Sequence, residues 1–236
     1  MSLLFQVQSG MDSLAGAVVN TPPPIPTTAP ETLSLMELTL KGGIIMIPLG
    51  VLSVIAVYIF VERLLAISKA GKTDVNFMNS IKDYITSGKI DSAKTLCKGT
   101  NTPVARMIEK GISRIGRPLD DISAAIENTA KLEIYKLENK MALLATIAGA
   151  APMLGFLGTV VGMIKSLYNM STQGENILIS TLAGGIYEAM VTTVGGLVVG
   201  IVAYVCYNLL VAQVEKVINK MEASTIEFLD LLNEPA

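Results

Sequence analysis

One carboxyl group lies in a stretch of chain with almost no other charge. Between Glu175 and Glu215 there is no Lys, Arg or Asp and a single acidic residue, Glu188. A charge at the centre of a membrane helix costs about 2.5 to 3.5 kcal/mol on insertion scales, so it needs a chemical reason to be there. Steps of three and four residues place Thr181, Gly184, Gly185, Glu188, Thr192 and Gly195 on one helix face, with Thr193 beside it. Such a face lets a second backbone approach closely and lets hydroxyls bond across the gap. A carboxyl sheltered from water favours its protonated form and can load and release protons. Thr159, Thr192 and Thr193 supply donors and acceptors for water or for a partner's carboxylate. The driving force is sufficient, because a proton crossing a membrane gains about 2.3 kcal/mol per 100 mV. The competing reading is a glutamate near the end of its span, snorkelling to headgroups or pairing with a neighbour.

Other chemistries find little support. The chain has no His and two Cys, Cys97 and Cys206, which removes the usual transition-metal sets and the Ser/His/Asp or Cys/His catalytic sets. One cysteine is in the polar middle and the other in the third apolar run, so no structural disulfide is expected. No enzyme activity, cofactor or metal is expected. Acidic residues are interspersed among the basic ones, from Asp74 to Glu138, so there is no basic stripe for nucleic acid.

The elements that carry Glu188 must be membrane helices. A hydrophobic content of 51% with 16% charge suits a membrane protein better than a soluble domain. Twenty residues without a charge run from Gly42 to Val61, with Pro48 able to bend them, and Glu62 and Arg63 read as an interfacial stop signal. The first span is assigned to 42–67, the second to 141–167 and the third to 182–212. In the second, Gly149, Pro152, Gly155, Thr159, Gly162 and Ser166 share a face, and Gly158 and Gly162 have small-xxx-small spacing. Gly196 and Gly200 repeat that spacing in the third. Pro152, Gly155, Gly158, Gly162, Gly184, Gly185, Gly195 and Gly196 are therefore expected to pack helices together. Lys165, near the outer end of the second span, is expected to snorkel.

Lys and Arg crowd into 68–140, whereas only Lys41 precedes the first span and none lies in 168–181. The positive-inside rule puts the N-terminus outside and the middle segment and C-terminus in the cytoplasm. Residues 1–41 form an outer tail whose first nineteen residues have the pattern of an amphipathic helix, followed by a polyproline-like linker at Thr21–Pro30. Residues 68–140 read as a helical cytoplasmic domain with breaks at Gly88, 99–103 and 116–118. Ile122, Ile126, Ala130, Ile134, Leu137 and Met141 then predict one long helix running unbroken into the second span. Residues 168–181 form an outer loop, and Val214, Val217, Ile218, Met221, Thr225, Phe228 and Leu232 continue the third helix through 213–236. The fold class is an all-α membrane protein with three transmembrane helices and long cytoplasmic helical extensions.

Two stretches carry a family resemblance. Ala148–Ser166, AGAAPMLGFLGTVVGMIKS, and Gly185–Asn208, GIYEAMVTTVGGLVVGIVAYVCYN, resemble the paired signatures of the MotA/TolQ/ExbB proton-channel family, ExbB most of all. The three-span layout and the VER at Val61–Arg63 are similar too. The resemblance implies a multi-pass subunit of the bacterial inner membrane, N-terminus periplasmic, that forms a homo-oligomeric ring, a pentamer in membrane lipid. A dimer of ExbD-like or TolR-like one-span subunits would fill the central pore. Proton flow past an Asp on that partner would drive a motion passed to a TonB-like or TolA-like protein. By position, Glu188 matches the family's third-span Glu, Thr159 the second-span Thr of GTV, Thr193 the third-span pore Thr, and Pro152 the Pro ahead of GTV. Val202 stands where many relatives have Pro, which puts a helix bend in doubt, and Tyr187 where a smaller residue is common. Three spans rather than four disfavour the MotA branch, and the extended outer tail is more similar to ExbB. The implied role is to energise TonB-dependent transport across the outer membrane. The alternatives are a TolQ-like subunit of the Tol-Pal envelope system and a non-conducting helical scaffold.

Overall fold

Apolar stripes at helical spacing decide where this chain folds back on itself. The computed structural model describes residues 42–72, 76–173 and 179–233. The N-terminal tail, with its amphipathic stretch and its linker, lies outside the described residues. Within them the regular elements are helices throughout: α1 Met46–Ala70, α2 Phe77–Thr86, α3 Ile90–Gly99, α4 Pro103–Ile112, α5 Leu119–Glu138, α6 Met141–Gln173 and α7 Ile179–Asn233. Three stretches are long and apolar enough to cross a membrane: Met46–Ala70, Leu119–Thr172 and Leu182–Asn233. The chain is a membrane protein, all-helical among the described residues, with a polar domain built from α2 to α5 and the far end of α7.

In the polar domain, α4 shows how local sequence sets the packing. Thr102 caps it by accepting the Ala105 N–H at 3.3 Å, and Pro103 occupies the first turn, where its missing N–H costs nothing. Val104, Met107, Ile108 and Ile112 then bury one face. The end of α7 joins the same core through Phe228, which is fully buried. Gly111 makes room for it, because a methyl there would meet the Phe228 ring at 2.7 Å. Cys97 is enclosed in this core. Burial, with a smaller contribution from the Glu109 carboxylate, pushes its thiol up to about 12.

The unbroken helix expected from Asp120 into the second span is corrected by the structure. The α5 helix stops at Glu138 and α6 begins at Met141, and Lys140 between them takes the left-handed conformation, φ 65°. Leu137 and Met141 are both buried in the same core on either side of the break. The apolar stripe therefore continues across the interruption, and periodicity alone does not reveal it. The break is held by charge. Lys140 Nζ donates to both Glu62 carboxylate oxygens at 2.8 Å, and Arg63 donates to Glu62 at 2.8 Å and to the Lys136 carbonyl at 3.4 Å. The residues read as a stop signal thus clamp α1 to the α5–α6 turn.

The apolar helices are less enclosed. The α1 helix packs mainly on α7, burying Leu49, Ala56 and Ile59, while Val51, Val54, Val57 and Tyr58 stay exposed. Val194, Val198, Ile201, Val202 and Val205 are exposed along α7. These side chains suit lipid or neighbouring helices. The α7 helix runs 55 residues and passes through Val202 without interruption.

Candidate functional site

The antiparallel α6–α7 pair is the scaffold of the site, and small residues close it. A methyl added at Gly196 would come within 2.7 Å of the Ala151 carbonyl and the Gly155 Cα. One at Gly155 would stand 3.0 Å from the Thr192 carbonyl, and one at Gly162 would be 2.9 Å from Ala189 Cβ. Gly200 lies against Pro152, Gly158 against Thr192, and Gly185 against Ser166. At Gly155, Gly162 and Gly196 the two backbones come close, which small residues permit. Gly195 turns aside to α1, with Met46 and Leu49 against it. Gly184 has nothing within 4 Å of where its Cβ would be, so it takes no part in packing among the described residues.

The seam divides the sequence-derived site residues between two edges. Glu188 lies on one of them. Its carboxylate is 3.7 Å from Lys165 Nζ on α6, and a side chain on Gly43, just before α1, would run into its Oε1. Gly43 has φ +67°, a conformation that also favours glycine. One residue from each apolar helix region thus meets at the carboxylate, whose side chain remains 32% exposed. Lys165, expected to snorkel, is 65% exposed and also reaches towards Glu188.

Thr193 lies on the other edge and donates to the Gly155 carbonyl on α6 at 3.1 Å. Five residues of helix put it about 140° around α7 from Glu188. Thr159 is about 120° around α6 from Lys165, on the Thr193 side, and donates back to the Phe156 carbonyl at 2.6 Å. Thr192 lies between the edges, 2% exposed, with its hydroxyl donating to the Ala189 carbonyl at 2.7 Å. Within one chain the hydroxyls and the carboxylate therefore do not converge. Thr181, placed on the Glu188 face by the sequence, has no described side chain. Two further hydroxyls, Ser166 and Tyr187, are buried without a partner among the described residues.

An ionic edge and a hydroxyl edge, separated by a seam of backbone contacts, can bind or pass protons but assemble no nucleophile with its base. Sequence reasoning singled out Glu188 and the threonines but missed Lys165 as a partner. The available signal was that Lys165 and Glu188 are the two charged side chains within the second and third spans, 141–167 and 182–212, and neutrality in lipid favours their pairing.

Known proteins agree with this architecture. Residues 99–223 match the model of the MotA/TolQ/ExbB proton channel family. The chain is 30% identical to the ExbB-like 3 biopolymer transport protein of Synechocystis over 172 residues, 72% of this chain and 81% of that one. It is 38% identical over 85 residues to the biopolymer transport protein ExbB of Neisseria gonorrhoeae, 36% of this chain and 38% of that one. It is 31% identical over 115 residues to the Tol-Pal system protein TolQ of Pseudomonas aeruginosa, 49% of each chain. A matched segment that takes in both helices of the glycine seam, Glu188 and its threonines, and a relative covered over most of its length, make this chain a member of the MotA/TolQ/ExbB proton channel family, similar to ExbB.

Proposed function

We propose that this chain is an ExbB-like motor subunit that uses proton flow across the bacterial inner membrane to energise TonB-dependent transport at the outer membrane. The observation that carries the reading is Glu188, an ionisable carboxyl at the meeting of three apolar helix regions, directed to Lys165 and the backbone at Gly43. Copies of the chain form a ring, a pentamer, with the polar domain in the cytoplasm and Gly43 at the periplasmic side. A dimer of ExbD-like or TolR-like one-span subunits occupies the central pore. The hydroxyl edge, Thr159 and Thr193, faces the pore and passes protons between water and the partner's carboxylate. A TonB-like protein receives the resulting motion. Each proton contributes about 2.3 kcal/mol per 100 mV, so two or three supply the free energy of a sizeable rearrangement.

Proton flux tests this directly, in vesicles holding the chain with its co-expressed one-span partner. Glu188→Gln and Thr159→Val should each lower partner-dependent flux and energised uptake by at least about tenfold, which is about 1.4 kcal/mol in the barrier. Unchanged activity in both removes the motor reading. The Lys165 pair favours a second reading, a scaffold in which Glu188 only joins helices. It expects Glu188→Gln to assemble and function normally.

A further inference from the structure

The Lys165 pair supplies a property beyond proton carriage itself. Lys165 Nζ stands 3.7 Å from a Glu188 carboxylate oxygen, and the lysine side chain is 65% exposed, reaching from the edge of α6 to the carboxylate on α7. The helix region that closes the site from the third side presents backbone at Gly43, and Met46 of α1 lies alongside Gly195. Lys165 is thus the charged side chain that faces Glu188 from the helices packed around it, among the described residues. We infer that Lys165 is a specificity-determining residue: a tethered cation that occupies the metal-ion position beside Glu188 and reserves the carboxylate for protons. The inference rests on the proton-carrying role given to Glu188 above.

The chemistry distinguishes the two kinds of ion. A hard metal cation must gather several oxygen ligands around itself, the carboxylate among them. At Glu188 an ammonium already fills one side, and Gly43 brings the first helix region up against Oε1. A metal ion would have to push aside an ammonium that stays tethered within reach of the carboxylate and competes for it. A proton needs one lone pair and no coordination shell. It bonds to a carboxylate oxygen, neutralises Glu188 and loosens Lys165 without displacing it from the site.

The experiment compares proton flux in sodium chloride and in choline chloride of equal ionic strength, using the full chain with its co-expressed one-span partner in vesicles. The parent and Lys165→Arg should conduct equally in both salts. Lys165→Met and Lys165→Gln should lose at least about threefold of their flux when sodium replaces choline. A merely structural lysine has no reason to create discrimination between two monovalent salts. Indifference to sodium in both neutral variants overturns the inference, and so does their failure to assemble while Lys165→Arg assembles, because the lysine would then be helix glue. Glu188→Gln in the same vesicles separates the two levels. Full flux in that variant overturns the motor reading, whereas lost flux with sodium-indifferent lysine variants overturns only the role given to Lys165.

Discussion

Charged residues do two kinds of work here, and Glu133 shows the structural kind. It is 3% exposed on α5 and accepts from Arg106 on α4 at 2.5 Å and from Lys136 at 2.6 Å. Burial opposes its ionisation, but the two hydrogen bonds outweigh burial and hold the carboxyl below its usual range. A carboxyl whose folded value is lowered contributes stability that is present above its unfolded value and lost as pH falls through the folded one. Thermal unfolding of the polar domain followed from neutral pH to about pH 3 should therefore show an acid loss that Glu133→Gln lacks. At neutral pH the same substitution should cost about 2 kcal/mol, since both cations keep partial access to water. Glu188 was legible as special from sequence because it is alone in an apolar run. The pairing with Lys165 was not legible, because the α6–α7 register that joins it to Glu188 belongs to neither helix alone.

At the scale of elements, helix type and span were readable, because small residues at three- and four-residue steps marked the faces that later met. Which of those residues would meet one another was not readable. Periodicity spread Glu188, Thr192, Gly195 and Thr193 over one broad face, but contact with two different helices splits that face into a seam and its edges. The split makes a prediction. Gly196→Ala drives a methyl into the Ala151 carbonyl and the Gly155 backbone, neither of which can swing away, and should cost about 1 to 3 kcal/mol in thermal unfolding of the detergent-solubilised chain. Gly184→Ala meets nothing among the described residues and should unfold like the parent. Lost proton flux in that variant would then locate Gly184 at a contact between copies. The break at Asn139–Lys140 escaped the sequence for a similar reason: its determinant is Glu62, remote in sequence and placed by α1.

For the molecule as a whole, α7 sets the dimensions. Its 55 residues span about 80 Å, against a hydrocarbon core of about 30 Å, so one uninterrupted helix carries both Glu188 and, forty residues on, the Phe228 anchor under Gly111. One residue inserted beside Gln213 should turn everything beyond it by about 100°, take Val217, Met221 and Phe228 off their buried face, and destabilise the polar domain in limited proteolysis. Seven inserted residues should return the face to its direction, because they make up nearly two whole turns, and should destabilise the domain less than one residue does although they shift Phe228 about 10 Å along the axis. Two of the links between the polar domain and the apolar helices are dissimilar. Along α7 the join is one uninterrupted helix, whereas along α5–α6 it is an elbow at Lys140, fastened by Glu62. The first link rests on backbone hydrogen bonds alone, whereas the second keeps its angle through side chains, so a substitution at Glu62 reaches the elbow and leaves the long helix untouched.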